Sequence, residues 1–410
     1  HIEQAARALK SISHPLRLFL PFAAGYFLSY LYRTANAVIG PVLARDLDLG
    51  DNALGLLTST YFLAFGAAQL PLGMLLDRFG PRRVEAALLL VAAAGAAVFA
   101  MSDTLGGLAS GRAMIGLGVS ACLMASFKAF SQWFPPERQA SLTGWIMASG
   151  GLGALAAAKP LELALAIAGW REIVLALAAA TLVVAGALWW FVPDKPIAEK
   201  GAGLAEQFGG VRQIFVSRHF WRYGPLAFWL TGGFMAVQGL WATRWMNVIE
   251  QMDRAAIAAR LTWISGAMLA GFLFMGFFAT RLVHRGIRLE NVYLAAMLAA
   301  ISGLASLALF PTFAGDLLWP LLGVCFSLSN IAYSLVAQAF PPTLSGRANT
   351  ALNLLAFAGA FGLQWGIGVL VDLLQVAEWT AGAAYRAAFL TLLAGQAAAF
   401  AWLVVSRKNN

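Results

Sequence analysis

Gln132-Trp133-Phe134-Pro135-Pro136 and Gln338-Ala339-Phe340-Pro341-Pro342 are one short phrase written twice, 206 residues apart. Each copy closes a long apolar run. A proline pair stops a helix, because proline lacks the amide donor and pushes the residue before it out of helical geometry. The same helix is therefore ended in the same way in each half of the chain, which is the mark of a duplicated unit.

The composition says what solvent those units meet. Of 410 residues, 60% are hydrophobic and only 11% charged, against about 25% charged in soluble domains. Inside a bilayer every backbone N–H and C=O must be bonded within the protein, which leaves helix bundles or closed barrels. The apolar runs here continue for about 20 residues or more, where barrel strands alternate over about 10. The fold expected is an all-α membrane protein. Cys122 and Cys325 lie inside apolar runs and build no disulfide framework. The net charge of +9 sits in loops between apolar runs, without the basic patch on a soluble module that nucleic-acid binding needs. The amphipathic start, Ala5 to Ser13, precedes a full-length span and does not read as a cleavable signal peptide.

With Pro, Gly and charged residues as boundaries, spans fall near 17–42, 53–76, 84–102, 105–130, 139–164, 170–193, 221–247, 257–281, 289–310, 313–338, 347–373 and 384–406. These number twelve, in a first bundle (1–192) and a second (221–410). The longest polar stretch, 193–220 with Lys195, Lys200, Glu206 and Arg212, links them. Loops on the side of the termini hold Arg7, Lys10, Arg78, Arg82, Arg83, Arg138, Lys195, Lys200, Arg212 and Arg218, then Arg281, Arg285, Arg288, Arg347, Arg407 and Lys408. The opposite loops hold mainly Arg45, Arg171, Arg254, Arg260 and Arg386. A bias of about threefold predicts both termini in the cytoplasm of a bacterial-type inner membrane.

Between spans two and three runs Gly73-Met74-Leu75-Leu76-Asp77-Arg78-Phe79-Gly80-Pro81-Arg82-Arg83, with a degraded echo at a similar offset from Gly276 to Gly286. The loop resembles the signature of the major facilitator superfamily, Gly-x-Leu-x-Asp-Arg-x-Gly-x-Arg-Arg, and parallel duplication of six-span halves is that family's architecture. The resemblance implies a gate: Gly73 lets helices approach, and Asp77 faces the positive N-terminus of span eleven. In span four, Arg112-x-x-x-Gly116-x-Gly118 resembles the family's second motif. Helical spacing puts Arg112, Gly116, Ser120 and Met124 on one face, so Arg112 reads either as a second anchor for a solute or as a brace bonded to carbonyls.

Span one carries Tyr26, Ser29, Tyr30, Arg33 and Asn36 at helical spacing, a polar stripe that lipid will not face. At about 1.5 Å per residue Arg33 lies roughly 24 Å along the span, level with Arg112. Intramembrane charge points to function. Arg33 reads as the anchor of an anion, or else as an arginine neutralised by carbonyls and tyrosines at the rim. Gln238 stands where the repeat places Arg33's counterpart. With Trp241, Asn330, Tyr333, Gln364 and Trp365 it gives the second half amides and rings where the first offers cations.

From Tyr30 to Pro160 the chain resembles the anion:cation symporter branch: Tyr30-x-x-Arg33, Gln69-x-Pro71, the gate loop, the span-four motif and Trp133-Phe134-Pro135-Pro136-Glu137-Arg138 follow its order. That branch commonly has Asp before the span-one arginine and Glu after Gly-x-Gly, where this chain has Tyr32 and Val119. With no acid deep in spans one, four, seven or ten, the expectation is that no single Asp or Glu is indispensable for pH-dependent transport, and that any driving proton travels with the solute or binds elsewhere. The function expected is alternating-access transport of a small organic anion, a carboxylate first, by a monomer that uses protons or sodium. The alternatives are proton-coupled export of a drug-like or amphiphilic metabolite and a non-transporting receptor. Four scattered histidines and no phosphate-binding Gly-x-x-x-x-Gly-Lys-Ser/Thr loop argue against enzyme, metal or cofactor.

Overall fold

A computed structural model of the chain describes residues 2–134, 136–193, 212–310 and 314–408, with side chains described from 16 to 407 except at 70, 77, 131, 135–141, 194–211, 279–280, 283–284, 311–313, 342–343 and 345–346. Span one is two helices, Ile2–Thr34 and Asn36–Asp46, with a turn at Ala35. Spans two and three are Asp51–Phe79 and Pro81–Met101. Span four breaks into Leu105–Val119 and Cys122–Trp133, and span five into Pro136–Ala156 and Lys159–Leu165. Span six is Trp170–Phe191. Span seven runs from Arg218 to Val248 with two π-helical turns, Ala227–Gly232 and Val237–Trp241. Spans eight and nine are Arg254–His284 and Leu289–Leu309. Span ten is Gly315–Ser329 with Ile331–Ala337, followed by span eleven, Pro342–Val376, and span twelve, Ala381–Lys408.

Among the described residues eight of these helices are long and apolar enough to cross a membrane, with mean hydropathy between 1.5 and 2.2. Several helices outrun the expected spans by a turn. Long basic side chains at helix ends can reach the interface while the backbone stays hydrogen-bonded, so helix ends need not coincide with the first charge. The expected linker falls largely on 194–211, outside the described residues.

The duplication is visible in the backbone. Gly80 (φ 80°) and Gly286 (φ 79°) turn the corners after spans two and eight, and are the positive-φ glycines among the described residues. They too stand 206 residues apart. A side chain in that region is strained, which glycine avoids. Span two packs lengthwise on span eleven, and span five on span eight. These two seams join the halves.

Candidate functional site

Arg33 is 7% exposed and sits where spans one, two and eleven meet. Its guanidinium carbon lies 4.5 Å from the centroid of the Tyr30 ring, 5.2 Å from Phe357 and 5.4 Å from Phe65. Phe65 and Phe357 stack across the halves at 4.1 Å and 9°, so the cation lies against the seam. Among the described residues it makes no ion pair, and its Nε is buried without a hydrogen-bond partner. The Tyr61 hydroxyl is its polar neighbour; ring faces attract a cation, and neither they nor a neutral phenol matches a carboxylate as acceptor.

The polar stripe folds inward around that cation. Tyr26 and Tyr30 meet edge to face at 5.2 Å, and Gly150 of span five makes room for them: a Cβ there would lie 2.6 Å from Tyr26 and 2.7 Å from Tyr30. Tyr333 of span ten lies in electrostatic reach of Tyr30 and Arg33 and donates its hydroxyl to Asn353 Oδ1 at 2.8 Å. The structure thus brings Tyr26, Tyr30, Arg33 and Tyr333 together from both halves.

Arg112 is placed differently. It is 5% exposed and donates from Nη1 to the carbonyl of Tyr32 at 3.1 Å, which is the bracing geometry. Its guanidinium covers the Tyr61 ring at 5.1 Å. Ser120 caps the first segment of span four in helical geometry and so keeps the face of Arg112 and Gly116, while Met124 lies beyond the irregular turn at Ser120–Ala121. Spans one and two serve the carbonyls at that break: Ser29 Oγ donates to Val119 O (3.4 Å) and Gln69 Nε2 to Ser120 O (3.3 Å). Gly116 abuts the backbone of Tyr61, so the motif's small residues are packing positions.

The second-half amides divide. Gln238, in the second π turn, is buried with Nε2 unpartnered, beside Gly239, whose carbonyl accepts from Asn36 Nδ2 at 3.3 Å. Gln364 donates to Thr58 Oγ1 at 2.5 Å, and Trp241 donates to the carbonyl of Gln364 at 2.9 Å. Asn330, at the break in span ten, bonds carbonyls of its own helix. Trp241 and Gln364 therefore belong to a closure of the end opposite the termini. There Thr243 donates to Ala37 O, Asp372 accepts from Asn52 N, Trp365 donates to Asn52, and Asp51 pairs with Arg244 at 3.1 Å and accepts from Tyr385 at 2.7 Å. This end is shut. Beyond the closure a cavity of about 270 Å³ opens between spans one, five, seven and eight, lined by Arg45, Glu162, Arg244 and Arg254 among others.

In the gate loop, Gly80 supplies the corner. Arg78 lies over Phe79 (5.3 Å) and Arg82 over Trp189 of span six (5.2 Å). Arg83 is held by a contact of its own. The Asp77 side chain lies outside the described ones. At Gly73, where a helix approach is expected, a Cβ would meet no described atom within 4 Å, and several side chains at the start of span eleven lie outside the described ones.

Tyr61, Phe65, Phe357 and Glu85 escaped the sequence reading. Tyr61, Phe65 and Gln69 recur at every fourth residue of span two, a stripe that a search for aromatic as well as charged faces finds. Phe357 carries no such signal, being one apolar residue among many in span eleven.

Two duplicated halves closing on a buried cation define a polytopic membrane bundle of the carrier type. The sequence model of the Major Facilitator Superfamily matches residues 22–363, and the chain belongs to that superfamily. It is similar to a probable sulfoacetate transporter of Cupriavidus necator (25% identity, 50% of this chain, 49% of that one), to a galacturonate transporter of Dickeya chrysanthemi (26%; 48% and 62%) and to a probable L-galactonate transporter of Escherichia coli K12 (28%; 41% and 37%). The matches span about half the length of these relatives. Among solved structures, a nucleoside transporter mutant superposes with a TM-score of 0.74 at 13% identity (94% of this chain, 99% of that one). A bacterial homologue of the lysosomal transporter Spinster, inward-facing and occupied, superposes with a TM-score of 0.73 at 16% identity (95% and 96%). At these identities the likeness is one of fold.

Proposed function

We propose that this protein carries a small organic anion, a carboxylate or sulfonate, across the inner membrane by alternating access, as a monomer with both termini in the cytoplasm and with its halves joined through 193–220. One observation carries the reading. Arg33 is a buried guanidinium at the junction of the halves with no acidic partner among the described residues. An unpaired buried charge is costly, and a bound anion removes that cost. Arginine's planar fork suits a two-oxygen anion. Tyr26, Tyr30 and Tyr333 supply hydroxyls and ring walls, Gln238 contributes a free amide donor from the other half, and Arg112 holds span one in place at Tyr32.

The closed end is the periplasmic one in this reading, and the gate loop with Asp77 works at the other. The transported acids named for the relatives form the natural panel: galacturonate, galactonate, sulfoacetate and tartrate. Purified protein is expected to gain thermal stability with at least one of these and none with neutral sugars, and proteoliposomes to take up the same acid. If no acid stabilises the protein or enters the vesicles, the reading fails.

A further inference from the structure

We propose that Glu85 is a proton-binding site, and that its occupation by a proton and that of the Arg33 site by an anion favour one another. The coupling rests on the transport reading above; the proton site itself does not.

Glu85 lies in span three, five residues past the Gly80 corner, and is fully buried. Among the described residues neither carboxyl oxygen has a nitrogen or oxygen hydrogen-bond partner, and only the Cys122 thiol is near enough to donate. The carboxyl presses on Gly25 of span one, where a Cβ would collide with Oε1, and the Sγ of Cys122 stands beside it. Cys122 opens the second segment of span four, directly after the break at Ser120–Ala121. An ionised carboxylate in such a place has lost its water and gained in return at most the weak S–H donor of Cys122. The neutral acid fits.

The other cation open to such a transporter is sodium. A hard cation collects several oxygen ligands, and a thiol suits it poorly. Among the described residues no three His, Cys, Asp or Glu side chains gather that could hold a metal ion. A lone carboxyl beside a thiol is a site for a proton.

Span one connects this site to the anion site. Gly25, Ser29 and Arg33 recur at every fourth residue and share one helix face, two turns or about 12 Å from end to end. Between them Ser29 bonds the broken span four through its hydroxyl and accepts from Tyr61 through its carbonyl. The titratable groups around Glu85 are Cys122 from span four and, along span one, Arg33. Span six, packed on span three, has no titratable side chain between Ile173 and Phe191. On Glu85's own helix Arg82 turns to Trp189 and Arg83 has its own contact, while the Asp77 side chain of the preceding loop lies outside the described ones.

When water reaches the site, the acid's O–H bond breaks and the proton leaves to water. The carboxylate left behind is a fixed negative charge near Arg33, and it competes with the anion for the field of that arginine. A protonated Glu85 leaves the field to the solute. Proton and anion therefore travel in the same direction, and linkage makes the effect mutual.

Two experiments on the purified full chain test this separately. Infrared absorption at neutral pH, parent minus Glu85→Gln, needs no solute: a protonated carboxylic-acid carbonyl band present in the parent and missing from the variant is expected. A carboxylate signal in its place overturns the proposal. Calorimetry with galacturonate and with sulfoacetate then follows affinity against pH. In the parent it should tighten as pH falls, by at most about tenfold per pH unit, the limit for one proton. Glu85→Gln should bind at every pH with the parent's low-pH affinity. Cys122→Ala should keep the parent's pH dependence. A Glu85→Gln protein with the parent's pH dependence, or a Cys122→Ala protein without it, overturns the coupling. If the parent binds neither acid at any pH, the anion reading falls, and the infrared result still decides the proton site.

Discussion

Arg33 and Arg112 make a controlled pair inside one bundle. Both are buried, both flank Tyr61, and both keep an unpartnered Nε. Arg112 spends a donor on the Tyr32 carbonyl, one residue before Arg33, whereas Arg33 faces rings and has the neutral Tyr61 hydroxyl as its polar neighbour. A guanidinium bonded to a carbonyl is part of the scaffold. One held among ring faces, at a seam that must open, is poised for something that arrives. The difference also teaches how the two depend on each other, because the carbonyl that Arg112 grips fixes the turn of helix from which Arg33 projects.

The largest expected effect breaks the pair apart. Arg33→Ala should abolish specific binding of the acid found by thermal shift, and Arg33→Lys should weaken it about tenfold or more, in line with one charge-assisted hydrogen bond of about 1.5–3 kcal/mol. The apo protein's stability should hold or rise in Arg33→Ala, since the variant removes an unpaired buried charge. Arg33→Ala binding as tightly as the parent would return Arg33 to a structural role. Arg112→Ala should show the opposite pattern: stability lower by about 1–3 kcal/mol, from a carbonyl left buried and unpaired, with binding weakened but measurable. Melting curves and calorimetry on the same two preparations decide it, and equal losses of stability would erase the distinction. The smallest effect concerns the shut end. Gln364→Leu removes the bond to Thr58 and should shift the balance toward opening there by about 0.5–1.5 kcal/mol, read as faster labelling of a cysteine placed at Asn52.

The architecture was legible because it is written redundantly. A bilayer imposes run length, and the repeated Gln-x-Phe-Pro-Pro phrase imposes the twofold arrangement. The inward stripe of span one was legible for the same reason: polar spacing in an apolar helix has one stable orientation. The contents of the seam were less so. Helical spacing assumes an unbroken helix, so the face drawn from Arg112 through Ser120 reaches Met124 only across an irregular turn that no local residue announces. Trp241 and Gln364 looked like cavity walls until their partners, Gln364 O and Thr58, were in place. The expectation that no single acid matters for coupling looked only at spans one, four, seven and ten. Glu85 lies in span three, beside three arginines of a loop that reads as a surface, and only the packing of Gly25 against it takes it out of water.

The two π turns of span seven reach further than the site. Each is a helix ring carrying one residue more than an α ring. Losing one residue from Ala227–Gly232 or Val237–Trp241 would heal the ring instead of breaking the helix, at the price of spinning everything beyond it by about 100°. Between homologous chains such a change shows as a one-residue gap in the middle of a membrane helix, a length polymorphism that leaves the hydropathy profile untouched while aiming Gln238 or Asn247 at a different neighbour.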